Sequence, residues 1–192
     1  LDYLTYILTG EEFAKYCATT SVMFSGHSSL CCWPILTFGT EEQKKKYLVP
    51  LASGQKLGAF GLTEPSAGTD AAMQKSFAEK QADGSYILNG SKTFITNAGY
   101  ADVYVVFAMT EKGIGTKGIS AFILEAGMPG FTVGKKEKKM GIRGSSTCDL
   151  IFENVKVPAA NLLGKEGKGF AMAMQTLDGG RIGIAAQAIG IA

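Results

Sequence analysis

FGLTEPSAGTD, residues 60–70, begins as an apolar strand and changes within three residues to threonine hydroxyls, carboxylates and glycine. Gly68 frees backbone amides at the end of this stretch, so the strand-to-loop edge can present several donors to a planar, carbonyl-rich or phosphorylated ligand. The alternative is an ordinary polar turn, with Glu64 and Asp70 as solvated or capping residues. The chemistry of the stretch alone leaves both interpretations open.

Short β-type runs separated by glycine and charged turns surround this stretch. Ala82-Asp83-Gly84 indicates a hairpin, because Asp-Gly tolerates the positive dihedral angles of a tight turn. The sequence has no strand–helix–strand alternation and no GxGxxG after a strand, which disfavours a Rossmann fold. The pattern predicts an antiparallel barrel or sandwich. Its strands are expected at 56–62, 74–81, 85–96, 103–109, 119–125, 130–133 and 148–155.

Apolar residues at helical spacing precede the β-region. Two helices are expected in residues 1–36, and the second should end at Trp33-Pro34 because proline disfavours a helical conformation in the residue before it. Thr40 is expected to cap a further helix, with Gln43 reaching back to the cap.

A long helix is predicted after the β-region, from near Phe170 to the end of the sequence. Gly179-Gly180 lies inside it and costs about 1 kcal/mol per glycine relative to alanine. A neighbour should therefore approach the backbone closely there, either another helix or a ligand.

The composition is that of a globular chain, since 46% of the 192 residues are hydrophobic and 19% are charged. The net charge of +2 favours neither nucleic acid nor an anionic membrane as a partner, so a small-molecule ligand is the better default. No apolar run reaches the roughly 18 residues needed to span a bilayer. The four cysteines lack zinc-ribbon spacing and are too sparse for a disulfide framework, which indicates reduced thiols in a cytosolic or matrix-like compartment.

Several further blocks accompany the first stretch, and together they resemble one family. FGLTEPSAGTD resembles the first signature of the acyl-CoA dehydrogenase family, and NGSKTFITN (residues 89–97) resembles its second flavin-contacting strand. The remaining blocks follow in the family's order: KMGIRGS (139–145), FENVKVPAANLLG (152–164), GKGF (167–170) and LDGGRIGIAAQAIGIA (177–192). The sequence as a whole most resembles the bacterial short-chain, butyryl-CoA-type enzymes.

The resemblance implies an α+β flavoenzyme in which a central antiparallel β-barrel or sandwich domain is flanked by partial α-helical domains, usually assembled as a homotetramer. Residues 1–51 are expected to be the end of an N-terminal helical domain, residues 52–160 the middle β-domain, and residues 161–192 the first helix of a truncated C-terminal bundle. The sequence starts at Leu1 without methionine and ends in an uncapped helical pattern, so we expect an internal segment of a longer protein.

The resemblance also implies that FAD is the cofactor and that the first signature contacts it. Phe60, Leu62 and Thr63 match the strand end that packs against and hydrogen-bonds the isoalloxazine ring, with Thr63 near the pyrimidine side. Donors aimed at the ring atoms that gain charge stabilise its reduction. Thr69 matches a residue at the junction of the flavin pyrophosphate and the acyl-CoA, and backbone amides around Gly68 can point at phosphate there.

Phe94, Ile95 and Thr96 match the second flavin segment, in which the aromatic ring covers one face of the flavin and the threonine lies near N5. Without the resemblance these three residues would be an ordinary β-strand. Asp178 and Arg181 match a helix that contacts the pantetheine and nucleotide arm of CoA. The alternative for this pair is a surface ion pair on one helical face, although the adjacent double glycine favours the substrate role.

The implied reaction is FAD-dependent α,β-dehydrogenation of a short-chain acyl-CoA to the trans-2-enoyl-CoA, with electrons passed to an electron-transfer flavoprotein. The family's base is a glutamate in a later segment, so no catalytic base is assigned here, and Glu64 is not given that role. An acyl-CoA oxidase, a branched-chain or glutaryl-type relative, and a non-catalytic flavin- or CoA-binding module are the alternatives. The compartment would be cytoplasmic in a bacterium and the mitochondrial matrix in a eukaryote. The single histidine, His27, is expected to be structural or exposed.

Overall fold

A computed structural model of the protein describes residues 2–192. Five α-helices precede the strands along the chain and a sixth follows them, and the sixth is the longest. Their bounds are α1 (Tyr3–Tyr16), α2 (Ala18–Ser25), α3 (Trp33–Phe38), α4 (Glu41–Gln43), α5 (Val49–Ala52) and α6 (Gly169–Ile191). None of the helices in this described part is long and apolar enough to cross a membrane.

Eight strands form one sheet in the order β6-β7-β3-β2-β4-β5-β8, and β1 pairs with β4 away from this path. The expected α+β class and the seven expected strand positions are confirmed. The strands are β1 (Gly58–Gly61), β2 (Phe77–Lys80), β3 (Tyr86–Ile95), β4 (Val103–Met109), β5 (Ile119–Glu125), β6 (Phe131–Val133), β7 (Cys148–Val157) and β8 (Leu162–Leu163).

The sheet is mixed rather than purely antiparallel, and among the described residues it is not closed into a barrel. Five strand pairs are antiparallel, whereas β1 runs parallel to β4 over four residues and β2 meets β4 in parallel at the single pair Phe77 and Met109. Strand direction depends on long connections that the apolar pattern does not encode. The two-residue strand β8 was not predicted, because it is too short to show a period.

The hairpin of β4 and β5 is buried on both faces. Successive side chains alternate across a strand, so Tyr104 and Phe122 enter a core between the strands, whereas Val105, Phe107 and Ile123 face the helices. Only the last residue of each strand is partly exposed. The continuous apolar runs of these strands follow from this two-sided cover, because a face turned to water would favour alternate polar residues.

The prediction that a helix ends at Trp33-Pro34 is wrong. A π-helical segment, Gly26–Cys32, joins α2 to α3, and the helix continues to Phe38. Proline lacks an N–H group and its ring clashes with the carbonyl four residues earlier in a regular α-helix. The wider π turn, in which the Trp33 N–H donates to the Ser28 carbonyl, relieves this conflict. A second π segment, Lys44–Leu48, likewise ends two residues before a proline.

Helix α6 packs against α1 and the first π segment through glycines. A Cβ atom at Gly179 would overlap the Tyr3 hydroxyl, and one at Gly180 would come within 2.9 Å of Leu30 Cδ2. The sequence predicts either another helix or a ligand as the close neighbour of the double glycine. The neighbours found are the side chains of Tyr3 and Leu30, on other helical segments. The close approach does not by itself argue for a ligand at this point.

The predicted helix cap and hairpin turn are both confirmed. The Thr40 hydroxyl accepts from the Gln43 N–H, and the Gln43 side chain accepts from the Thr40 N–H. The buried Gln43 amide also donates to the carbonyls of Ala160 and Leu162, which ties α4 to β8. Between β2 and β3, Gly84 takes a φ of +81°, in the region that favours glycine.

His27 holds the start of β1 against the first π segment, which confirms its structural role. Its Nδ1 accepts from the Gly58 N–H at 3.0 Å, and its Nε2 lies 3.2 Å from the Leu51 carbonyl. The proton must therefore be on Nε2, since Nδ1 is an acceptor. Burial lowers the pKa of His27, because the charged form loses solvation.

We predict that the imidazole of His27 titrates below its ordinary value near 6.5. Because the unfolded chain binds the proton more tightly, the stabilisation from His27 is present above about pH 6.5 and is lost as the pH falls. An NMR titration, with the signal assigned by its loss in His27→Gln, measures the pKa. Urea unfolding should show the difference in stability between the wild type and His27→Gln shrinking from pH 7 to pH 5. A pKa above 6.5 would contradict the assignment.

Candidate functional site

A cavity of about 270 Å³ lies where the ends of β1 and β3 meet α6 and the Gly26–Cys32 segment. All eight residues that the sequence assigned to a cofactor line this one cavity, together with Arg181. The eight residues come from two chain segments more than twenty residues apart, and Arg181 comes from α6, which follows the whole sheet. The eight are Phe60, Leu62, Thr63, Gly68, Thr69, Phe94, Ile95 and Thr96.

Five further residues complete the described lining and were not assigned from the sequence. They share small or apolar character and come from the first π segment, from the turn after Asp70 and from α6: Gly26, Leu30, Ala71, Met174 and Leu177. Helical spacing on α6 could have indicated Met174 and Leu177, which lie about two turns and one turn before Arg181. Nothing in the sequence indicated Gly26 and Leu30, because their position depends on the π turn.

Arg181 is the only charged residue in the described lining of the cavity. Its guanidinium donates to Asp178 Oδ1 at 2.7 Å, and both side chains are exposed. The structure therefore contains the surface ion pair expected as the alternative for this pair. Exposed pairs of this kind contribute little to stability, so the arginine can exchange this partner for an anionic ligand at small cost.

Strand β3 fixes the backbone on both sides of Thr63. The Thr93 N–H donates to the Thr63 carbonyl at 2.9 Å, and Lys92 Nζ donates to the Leu62 carbonyl at 3.1 Å. The peptide groups before and after Thr63 are thus both held by β3. This arrangement places the end of β1 and the end of β3 at one rim of the cavity.

The loop after Thr63 is compact, because its polar groups bond to one another. Glu64 and Ala67 exchange two backbone hydrogen bonds around the Pro65-Ser66 corner. The Asp70 carboxylate accepts from the Ala72 N–H, so Asp70 has the capping role given to it in the alternative interpretation of this stretch. The Gly68 and Thr69 positions lie between these two fixed points and line the cavity.

Glu64 is not solvated. Its side chain is only 4% exposed and accepts from the N–H groups of Lys75 and Ser76 and from Lys92 Nζ at 2.8 Å. Burial works to raise the pKa of Glu64, but the charge of Lys92 and these hydrogen bonds outweigh burial and hold the pKa below its usual value. The carboxylate is therefore a fixed structural anion and is not free to take up a proton from a substrate.

Lys92 has no exposed side-chain surface. Its ammonium group donates to the Leu62 carbonyl, to Glu64 and to Gln74 Oε1, at 3.1, 2.8 and 3.2 Å. Burial lowers the pKa of Lys92 to about 8 and the Glu64 carboxylate limits the fall, so the amine is charged at neutral pH. Sequence reasoning missed this residue, although a lysine within an apolar strand was a visible signal.

A bulge in β3 directs Phe94 outward. The pairing of β3 with β7 shifts register between Lys92 and Ile95, and Phe94 takes a φ of +59°. Lys92 and Thr93 are consequently both buried, whereas the Phe94 ring is 63% exposed beside the cavity. A large side chain in the left-handed region costs about 1–2 kcal/mol, and such strain is concentrated at functional sites.

A second, larger cavity of about 550 Å³ lies among the helices. Its lining is mostly apolar and includes Tyr3, Tyr6, Phe24, Trp33 and Leu48. None of the predicted site residues lines it. The smaller cavity is the better candidate for chemistry, because the predicted site residues converge there.

The chain belongs to the acyl-CoA dehydrogenase family. It matches the acyl-CoA dehydrogenase middle domain over residues 59–155 and the acyl-CoA dehydrogenase N-terminal domain over residues 1–55. The resemblance found in the sequence motifs is thereby confirmed.

Individual members of the family are close in structure. Butyryl-CoA dehydrogenase from Megasphaera elsdenii has a TM-score of 0.97 and 64% identity, over 98% of this chain and 49% of that one. A chain in a structure of the electron transferring flavoprotein of Acidaminococcus fermentans has a TM-score of 0.97 and 63% identity, over 99% of this chain and 50% of that one. An acyl-CoA dehydrogenase from Bacillus anthracis, complexed with FAD, has a TM-score of 0.91 and 42% identity, over 99% of this chain and 32% of that one.

The chain spans about half the length of the curated relatives that it matches.

We predict that Phe94→Asn leaves the free energy of unfolding unchanged or raises it by up to about 1 kcal/mol, because asparagine tolerates the left-handed region and the exposed ring loses little packing. Ile142→Asn is the matched control, since Ile142 has a φ of +50° outside the cavity. Urea unfolding of both variants measures the effect. A loss above about 2 kcal/mol in Phe94→Asn would mean that the ring packs in the core.

Proposed function

We propose that the protein is an FAD-dependent short-chain acyl-CoA dehydrogenase that forms trans-2-enoyl-CoA and passes electrons to an electron-transfer flavoprotein. The observation that carries this proposal is the single cavity lined by all eight cofactor candidates, in which Arg181 is the one charged residue among the described lining residues. The butyryl-CoA dehydrogenase of Megasphaera elsdenii supports the short-chain substrate class. The Acidaminococcus fermentans structure supports the electron acceptor.

The residues at the cavity fit a flavin. Among residues 2–192, the hydroxyls of Thr63, Thr69 and Thr96 have no protein hydrogen-bond partner, and all three line the cavity. The exposed ring of Phe94 supplies a flat apolar surface beside them. Free donors next to a flat surface match a ligand with a polar-edged planar ring system.

The residues take the following roles in the proposed reaction. FAD, when bound, supplies the acceptor for the hydride that leaves the β-carbon. Thr63 would donate to the pyrimidine side of the ring, Phe94 would cover one face, with Ile95 beside it in the lining, and the Thr96 hydroxyl would orient the edge near N5. Phe60 and Leu62 form the apolar wall of the strand end.

The substrate side of the site is assigned to the loop and to α6. Thr69 and the amides around Gly68 would hold the junction of the flavin pyrophosphate and the acyl-CoA. Arg181, with Asp178 to orient it, binds the pantetheine and nucleotide arm through its charge. Leu30 and Met174 give the cavity an apolar side that suits a short acyl chain.

We propose that the catalytic base lies outside the described residues. Within the described residues no carboxylate lines the cavity, and Glu64 is held by Lys92 and two backbone amides. We also propose the division into residues 1–51, 52–160 and 161–192, the homotetramer, and a cytoplasmic or mitochondrial-matrix location. These assignments rest on the family resemblance.

An anaerobic visible spectrum of the purified protein, before and after addition of butyryl-CoA, tests the proposal. Flavin bands that bleach on addition are expected. Bands that persist would point to a different substrate within the family. Rapid reoxidation of the bleached flavin when air is then admitted would identify an oxidase. The absence of flavin bands would overturn the proposal.

We predict that Thr63→Val and Thr96→Val each weaken flavin binding or shift its redox potential, because each removes a donor from the rim of the cavity. The loss of one hydrogen bond should raise the FAD dissociation constant about 3- to 10-fold. Thr132→Val on β6, an exposed threonine away from the cavity, is the control. Flavin content and potential equal to the wild type in both variants would remove the two roles.

We predict that Arg181→Gln raises the dissociation constant for acyl-CoA about tenfold, about 1.4 kcal/mol, with flavin content unchanged. Lys15→Gln is the matched control, because Lys15 forms a similar exposed ion pair with Glu12 on α1. Titration of the flavin spectrum with acyl-CoA measures both constants. Equal affinity in the two variants would restrict Arg181 to its surface ion pair.

A further inference from the structure

The buried Lys92 lies directly behind the rim of the cavity. Its stem lies against the end of β1, where a Cβ atom at Gly61 would be at the ordinary contact distance of 3.5 Å from Lys92 Cγ. The three acceptors around the ammonium group use all three of its donors. Lys92 therefore has a fixed position and makes no direct contact with solvent.

One of the three acceptors connects Lys92 to the cavity through a single peptide group. The Leu62 carbonyl, which Lys92 contacts, belongs to the same peptide as the Thr63 N–H. In the described residues this N–H donates to no protein acceptor, whereas the Thr63 carbonyl accepts from the Thr93 N–H. The free N–H is thus held on a residue that lines the cavity.

A charge on a carbonyl oxygen polarises its peptide and strengthens the N–H at the other end as a donor. The effect is largest where water is excluded, because the local dielectric constant is low. Seen from a distance, the Glu64 carboxylate offsets part of the positive charge of Lys92. Glu64 does not, however, contact the Leu62 carbonyl. Of the two charges, only the cation is hydrogen-bonded to that peptide.

We propose that Lys92 is a positioning residue, whose ammonium group fixes and polarises the Leu62–Thr63 peptide so that the Thr63 N–H stabilises the negative charge gained by a flavin on reduction. This inference rests on the proposed function and deepens it. A donor aimed at a site where charge develops favours the charged form over the neutral one. Lys92 therefore stabilises the reduced flavin more than the oxidised flavin.

A purely structural role makes a different prediction. If Lys92 only fills its site, its loss loosens the loop and weakens the binding of both redox states equally. The ratio of the two affinities, and hence the potential, would then stay constant. The midpoint potential therefore separates the two roles, whereas flavin content or activity does not.

The experiment compares the holoprotein with Lys92→Met and with the double variant Lys92→Met/Glu64→Gln. The double variant removes both buried charges, so that a loss of folding caused by an unpaired Glu64 is avoided. Lys80→Met is the control, because Lys80 forms an ion pair of similar length with Glu166 on the surface. Spectroelectrochemical titration gives the potential, and titration of the apoprotein with FAD gives the dissociation constant of the oxidised form.

Both Lys92 variants should bind reduced flavin at least tenfold more weakly, relative to oxidised flavin, than the wild type. This ratio lowers the midpoint potential by about 30 mV for a two-electron couple. Lys80→Met should match the wild type. A potential equal to the wild type in the folded variants overturns the role of Lys92 and leaves the proposed function intact. A wild-type protein without flavin overturns both.

Discussion

The structure depends on the burial of both faces of the β4–β5 hairpin. One face closes against the rest of the sheet, and the other is covered by α3, α5 and α6. A hairpin that is apolar on both faces cannot remain in water, so the fold requires this helical cover. The candidate cavity lies at its margin, where β1 and β3 end beside α6. The same packing that stabilises the sheet thus brings three distant segments to one site.

The buried pair of Lys92 and Glu64 is a poor source of stability. Removing two charges from water costs several kcal/mol per ion, and apolar residues of similar volume often stabilise a core as well. The pair is nevertheless fully hydrogen-bonded, and removal of one partner would cost about 3–5 kcal/mol. Its position behind Thr63 gives the charges a consequence at the cavity that an apolar pair could not have.

The strands, the long helix and the Thr40 cap could be predicted from the sequence, because each has a local pattern. The residues assigned to a cofactor came from the family resemblance, and the structure brings them to one cavity. The π turns could not be predicted, since they depend on how a helix accommodates Pro34 and Pro50 within a packed layer. The parallel pairing of β1 with β4 depends on long connections. Gly26 and Leu30 could not be assigned to the cavity from the sequence, because their positions depend on the first π turn.

The bulge in β3 explains why one strand can both support the core and form the rim of the cavity. Without the register shift, strict alternation would direct Lys92 and Phe94 to the same face of the sheet. The shift allows Lys92 to point inward and the Phe94 ring to point outward within three residues. Strain at Phe94 and a buried ammonium group therefore occur together, at the place where the backbone re-aims its side chains. The strain at Phe94 and the cost of burying the Lys92 charge both arise beside the cavity. The pairing of β3 with β2 and β7 offsets these two costs.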